Sequence, residues 1–206
     1  MHIDMPQLER LTSQHAADIV SVFCEAFHAY PVMRYIVGPS DDYDERLRHL
    51  INFFVLRRVQ QGGPLFGMTD NGRLLAAATT TLPAEPMMPA GAAAIRDETW
   101  RRLGDDARAR YDTYAAVTKA LAIERPHYHL NMIGVRSAQK GQKLARPLLE
   151  AVRNLAQEDP NSSGISLTTE TSPNLSLYEH FGYQVYGHVR VSPELESWGL
   201  FLTVRE

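Results

Sequence analysis

The stretch from His127 to Glu170 constrains the fold most. It reads as an apolar strand, HYHLNMIGV, a short basic loop, an amphipathic helix, LARPLLEAVRNLAQ, and a second strand, GISLTTE. A helix that carries the chain from one strand to the next makes the two strands a parallel pair. Farther upstream, PLFGMT and RLLAAATTTL flank Asp70-Asn71-Gly72 and read as a β-hairpin. A mixed sheet follows, with antiparallel strands on the N-terminal side, a parallel β-α-β unit beside them and helices on both faces: an α/β or α+β fold.

The flanking segments fit around that sheet. Residues 6–12 suit a short first strand. Thr12 or Ser13 then caps a helix that keeps Ile19, Val20, Phe23 and Phe27 on one face. Pro31 ends that helix by restraining the residue before it. The polar bend GPSDDYDE leads to a second helix, with Leu47, Leu50, Ile51, Phe54, Val55 and Arg58 at helical spacing, closed by Gly62-Gly63-Pro64. Residues 83–126 begin rich in proline and alanine and continue with Trp100, Leu103, Tyr111, Tyr114, Val117 and Leu121 at spacings that suit one or two helices. They read as an insertion on the hairpin side. A short helix, PNLSLYEHF, and two strands, YQVYGHVRV and WGLFLTVRE, complete the order.

At 206 residues the chain suits a single domain. A formal net charge of −3 gives no global attraction to nucleic acid or to an anionic membrane, so any basic patch must be local. The lone cysteine, Cys24, excludes an internal disulfide and a cysteine-rich zinc site, and it reads as a buried thiol of the first helix. His127 and His129 have no acidic or thiol partner at ligand spacing, so no metal is expected. MHIDMPQLER has no apolar signal core and LLAAATTTL is too short to span a bilayer, which leads us to expect a cytoplasmic protein.

The loop after the first strand of the β-α-β unit, VRSAQKGQKLA, is where chemistry first suggests itself. Arg136, Lys140, Lys143 and Arg146 crowd together there with no acidic residue among them. The first amides of the following helix lack partners and face outward with the positive end of its dipole. A phosphate-bearing ligand would fit; a solvated basic loop is the other reading. Neither GxxxxGK[ST] nor a GxGxxG after a strand occurs, so a nucleotide P-loop and a dinucleotide fold have no support.

Three landmarks in order give the chain from His127 onward a resemblance. HLNMIGV runs into KGQKLA; SLTTETSPN forms a strand and a turn into a helix; and Asn174, Tyr178, Gly182 and Tyr183 follow an N-x-x-x-Y-x-x-x-G-Y pattern. Together they resemble the GNAT superfamily of N-acetyltransferases. The N-terminal half agrees in element order only. The resemblance implies acetyl-CoA as co-substrate. Its pantetheine arm would meet the main chain of Ile133 and Val135, where the strand splays from its parallel neighbour. Its pyrophosphate would meet the loop amides of Gly141, Gln142, Lys143 and Ala145. Asn174 is carried over with the tyrosine motif. Lys140 stands where the family usually has Gln or Arg, and Lys143 where it usually has Gly. Lys143 would either obstruct the phosphate or pair with it. Pro147 should distort the first helical turn or delay its start.

Attack of an amine on a thioester needs a base, an oxyanion donor and an acid for the leaving thiolate. The resemblance puts Tyr178 beside the sulfur as the acid; its spacing with Leu175 and Phe181 also suits plain core. His129 is one base candidate, on a strand face with His127 and Asn131 that should also bear Ile133 and Val135. It corresponds to a histidine of the arylalkylamine branch, whose second histidine falls at Asn131; a packed strand histidine is the other reading. Glu170 is another candidate, two residues beyond Thr168, where the family often has Glu; a helix cap at Ser172-Pro173 explains that neighbourhood without chemistry. The oxyanion donor is expected among backbone amides near Ile133. No G-x-S-x-G elbow offers a nucleophile.

The resemblance implies that the acceptor enters opposite the coenzyme, between the first two helices and neighbouring loops, here at Phe27, His28, Tyr30 and Tyr35, with Met87, Met88, Trp100 and Tyr111 of the insertion. These residues suit a partly aromatic pocket, and equally core or a dimer contact. The expected activity is acetyl transfer to the primary amine of a small molecule or peptide, by a monomer or homodimer without nucleic-acid or membrane partners. Its rival is a GNAT-like domain that senses acyl-CoA or serves as an interaction module.

Overall fold

The computed structural model describes residues 6–84 and 91–205, so Met87 and Met88 lie outside the described residues. A seven-stranded sheet runs in the order β1 (Gln7–Leu11), β2 (Leu65–Asp70), β3 (Arg73–Thr81), β4 (Tyr128–Val135), β5 (Gly164–Thr169), β7 (Leu195–Thr203) and β6 (Gln184–Ser192). Among the described residues only β4 and β5 pair in parallel. The helix between them, α5 (Ala145–Glu158), forms the expected crossover. The β2–β3 turn holds Asn71 at φ 49° and Gly72 at φ 75°, the left-handed pair that a tight two-residue hairpin requires.

Helices cover both faces. One face packs α5 and α6 (Pro173–His180) around Leu148, Leu149, Val152, Ile165, Leu167 and Leu200. The other packs α1 (Ala16–Ala26), α2 (Pro31–Val37), α3 (Tyr43–Gln60) and α4 (Ala92–Thr118) around Phe23, Ile36, Leu47, Leu50, Ile51 and Leu103. Burial of these side chains supplies the main driving force for folding. A side chain at Gly134 would come within 2.8 Å of Ala26 Cβ and 3.0 Å of Phe23, so its absence lets α1 lie directly on β4.

Three expectations are corrected. Pro31 does not merely end the first helix. It is the first residue of α2, where its fixed φ is preorganised and its missing N–H costs nothing, so three helices precede the hairpin. Pro147 likewise leaves α5 regular, because it lies in the first turn, where amides have no helical acceptor. The insertion is not confined to the hairpin side: α4, broken at Gly104 (φ 79°), packs on α2, α3 and β6. Arg110 of α4 donates from Nε to the Ile36 carbonyl and from Nη2 to the Val37 carbonyl, capping α2. Among the described residues no helix is long and apolar enough to cross a membrane.

Candidate active site

The site begins with a register fault. In the β3–β4 ladder Thr79 faces Met132 while Thr80 faces Leu130, which leaves Asn131 as an extra, bulged residue. The bulge changes which side chains share a face. Tyr128 and Leu130 pack toward α5, Met132 toward α1 and α3, and Ile133 and Val135 toward α5 again. His129, adjacent to Leu130, therefore faces the α1–α3 side, opposite to Ile133 and Val135. The expected common face is corrected, because regular alternation does not survive an inserted residue.

Beside the bulge the parallel strands part. β4 and β5 pair at Tyr128–Ile165, His129–Ser166 and Leu130–Leu167 and no farther, although both strands continue. The opening leads into a cleft of about 950 Å³ that reaches from Lys140 and Val135 past Tyr178 and Glu170 to Phe27, Phe54 and Tyr111. Its size lies within the range of small-molecule sites.

At the loop end, Gly141 has φ 85° and Lys143 φ 60°. Lys143 thus takes the left-handed conformation that glycine adopts without strain, with its side chain exposed. The amides of Gly141, Lys143, Leu144 and Ala145 donate to no backbone carbonyl among the described residues, and they precede or open α5. Gln142 departs from expectation, since its amide already donates to the Gln139 carbonyl. Arg136 also departs: its guanidinium pairs with Glu25 at 3.0 Å and donates to the Leu74 carbonyl, turning toward α1 rather than the loop. Arg146 pairs with Glu150 at 3.4 Å. Lys140 and Lys143 form no ion pair among the described residues. An anionic, phosphate-bearing group fits this end.

At the centre stands Glu170, 8% exposed, just past the end of β5. Its Oε1 accepts hydrogen bonds from the Tyr114 and Ser197 hydroxyls, each at 2.8 Å, while its amide donates to the Tyr30 hydroxyl at 3.0 Å. Tyr30 also shares a hydrogen bond with Thr169 Oγ1, to which Asn174 Nδ2 donates at 3.0 Å. Burial raises the Glu170 pKa, and the tyrosine and serine donors hold it back. Tyr178 lines the same region at 7% exposure. Burial, then the nearby Glu170 charge, raises its phenol pKa, so the hydroxyl keeps its proton at neutral pH. Its hydroxyl makes no hydrogen bond among the described residues. The helix cap read at Ser172 is corrected in one respect: Pro173 does open α6, but the Ser172 side chain makes no capping bond.

His129 lines the cleft, with Nδ1 hydrogen-bonded to Ser166 Oγ at 2.7 Å. Burial, followed by the charges of Arg58 and His127, depresses its pKa to about 3. A neutral imidazole with so weak a hold on a proton does not suit the base role expected of it. Cys24 is half-buried, and burial raises its thiol pKa, as suits a packed thiol.

At the acceptor end Phe27 and Tyr30 line the cleft, with their rings edge to face at 5.2 Å. His28 does not. It is exposed, with Nε2 2.8 Å from Asp44 and Nδ1 3.2 Å from Arg34, so its place in the pocket is corrected. Neither Tyr35 nor Trp100 lines this cleft. Tyr35 packs on the α1–α3 core, and Trp100 is buried between α3 and α4. Sequence reasoning gave no role to Tyr114, Ser197, Thr79 or Arg58, all of which lie in or beside the cleft. Only Arg58 left a signal: it is an arginine on the apolar stripe of a helix. Among the described residues no cluster of acidic, histidine or cysteine side chains could hold a metal.

Residues 108–200 match the acetyltransferase (GNAT) domain family. No curated protein sequence matches the chain significantly. Among solved structures, a Corynebacterium glutamicum protein described as histone acetyltransferase HPA2 and related acetyltransferase superposes with a TM-score of 0.73 at 17% identity, over 97% of either chain. An agmatine N-acetyltransferase gives 0.64 at 18% identity, over 95% of this chain and 98% of its own. The Drosophila melanogaster polyamine N-acetyltransferase gives 0.62 at 17%, with the same coverage. The likeness at these identities is one of fold.

Proposed function

We propose that this chain, which carries a GNAT acetyltransferase domain over residues 108–200 and has the GNAT fold, transfers an acetyl group from acetyl-CoA to the primary amine of a small molecule. The observation that carries this reading is the parting of β4 and β5 beyond Leu130, which joins a cradle of open amides to a buried carboxyl–tyrosine centre. The amides of Gly141, Lys143, Leu144 and Ala145, with Lys140 and Lys143, would hold the pyrophosphate. The main chain of Ile133 and Val135, released from strand pairing, would meet the pantetheine arm, with Asn174 alongside. Lys143 follows the backbone path of a glycine, which supports a working cradle over a blocked one.

The amine nitrogen forms a bond to the acetyl carbon, and the carbon–sulfur bond breaks. Glu170 is the base in this reading: its raised pKa gives the carboxylate a stronger hold on a proton than an ordinary glutamate has. Tyr178 is the acid that returns a proton to the departing thiolate. Burial keeps the phenol protonated at neutral pH, so its O–H is available to the thiolate as the carbon–sulfur bond breaks, and the same burial would raise the thiol's own proton affinity. His129 helps to shape the acceptor wall in its neutral form. Backbone amides near Ile133, just past the bulge at Asn131 and beyond the last β4–β5 pair, would donate to the developing oxyanion. Amines among the acceptors named for the similar structures, agmatine and polyamines, agree with this substrate class.

Two measurements test the proposal. Calorimetric titration should detect coenzyme A binding well below millimolar concentration, and thiol release from acetyl-CoA should depend on an added amine. Absence of binding at millimolar coenzyme would overturn the reading.

A further inference from the structure

The acceptor end of the cleft holds a cation without a balancing anion among the described residues. Arg58 lies on the inward stripe of α3, and its guanidinium lines the cleft. Nη1 donates to Gln61 Oε1 at 2.7 Å and to Thr81 Oγ1 at 3.0 Å, both neutral acceptors. Of the five N–H groups of a guanidinium, those on Nε and Nη2 have no acceptor among the described residues, and Nε is buried. No carboxylate pairs with Arg58 among the described residues. Its pKa, lowered to about 10 by burial and by the Arg57 charge, still leaves it charged at neutral pH. A buried, incompletely bonded charge is costly unless a partner arrives.

Two further groups share this corner. Thr79 is 1% exposed and lines the cleft, and its hydroxyl has no hydrogen-bond partner among the described residues. Asn131, the bulged residue, accepts from the Thr81 hydroxyl through Oδ1, which leaves its side-chain amide donors facing no acceptor among the described residues. Arg58, Thr79 and Asn131 come from three different elements, and each brings an unspent donor to one wall. The cleft's carboxyl, Glu170, bonds through Oε1 to Tyr114 and Ser197 and forms no ion pair with Arg58.

We infer that this wall binds a carboxylate, and that the acceptor is therefore a small amino acid-like molecule whose amine lies toward Glu170 and whose carboxylate meets Arg58, Thr79 and Asn131. Arginine is suited to the carboxylate through its planar fork, and the two neutral donors complete the anion's shell. A purely cationic amine would instead set a positive charge against Arg58. The assignment of the reacting amine rests on the acetyltransferase reading; the carboxylate wall does not.

The test separates the two. Calorimetry with the N-acetyl forms of glycine, leucine, phenylalanine and glutamate, each against its carboxamide, reads the wall without turnover. At least one acid should bind the wild-type protein roughly tenfold or more tightly than its amide. Arg58→Gln should bring that ratio toward one, and Arg58→Lys should retain part of it. Thiol release from acetyl-CoA should then favour amino acids over their decarboxylated amines. Equal binding of every acid and amide, or better turnover of the decarboxylated amines, overturns the inference while leaving the transferase reading intact. Acid-selective binding with no thiol release for any amine supports the wall and overturns the transferase reading. If Arg58→Gln does not fold, the acid-to-amide comparison on the wild-type protein decides.

Discussion

Tyr114 donates its hydroxyl to Glu170 Oε1 at 2.8 Å, joining the insertion helix to the end of β5 across 56 positions of sequence. The contact stabilises the ionised carboxylate and so opposes the burial that raises its pKa. With Glu170 as the base, activity should fall on the acid side as this carboxylate is protonated, at a pH above the ordinary carboxylate range. Tyr114→Phe removes a donor to the charged form, so its acid limb should move to still higher pH. Glu170→Gln should lower kcat by about 10²-fold or more and remove that limb. A kcat–pH profile on the three proteins checks this; an acid limb unmoved by Tyr114→Phe would take Glu170 out of the base role.

Tyr178→Phe separates chemistry from packing. The ring is buried beside Tyr183, with centroids 5.8 Å apart, and the substitution keeps it. The hydroxyl has no partner among the described residues, so the melting temperature should shift little. Loss of a general acid should lower kcat by about 10²-fold, with coenzyme affinity nearly unchanged. Unchanged turnover would return Tyr178 to the hydrophobic core.

The pattern of legible and illegible features has physical causes. The β-α-β unit was readable because hydrophobic alternation, a loop and helical periodicity each span many residues and agree. The bulge at Asn131 was not, since one inserted residue leaves the alternating pattern HYHLNMIGV intact while reversing the faces beyond it. His28 and Arg136 depart from their expected places for a related reason: a polar side chain near a site chooses among partners distant in sequence, here Asp44 and Glu25. Glu170 was a candidate by position, but its donors Tyr114 and Ser197 come from elements whose approach only the tertiary fold defines. Pro31 reads in the sequence as a stop signal, yet proline marks helix starts as readily as ends.

Lys143→Gly tests the loop. A non-glycine residue at φ 60° is strained by about 1 kcal/mol, a cost partly offset by the greater chain entropy that glycine gives the unfolded state. The variant should therefore be as stable as the parent or up to about 1 kcal/mol more so, by urea unfolding. Coenzyme A should bind about twofold to fivefold more weakly, with a shallower salt dependence, because an exposed charge facing the phosphate is lost. Tighter binding would mean that the side chain obstructs the cradle.

The neutral state of His129 has a consequence for stability that is independent of catalysis. Its folded-state pKa of about 3 lies below the value of about 6.5 expected in the unfolded chain. Between those values the unfolded state binds the proton and the folded state does not, so stability rises with pH across this window and is lost as pH falls from about 6.5 toward 3. Between pH 7 and pH 4.5 the loss from this residue should be on the order of 2 kcal/mol. His129→Gln cannot titrate yet keeps a polar group near Ser166 Oγ, so its stability should fall less over the same interval. Urea unfolding of both proteins at the two pH values gives the difference directly, because the other titrating groups are common to both. An equal fall in the two would show that the imidazole takes up its proton in the folded protein, and a base role for His129 would then return.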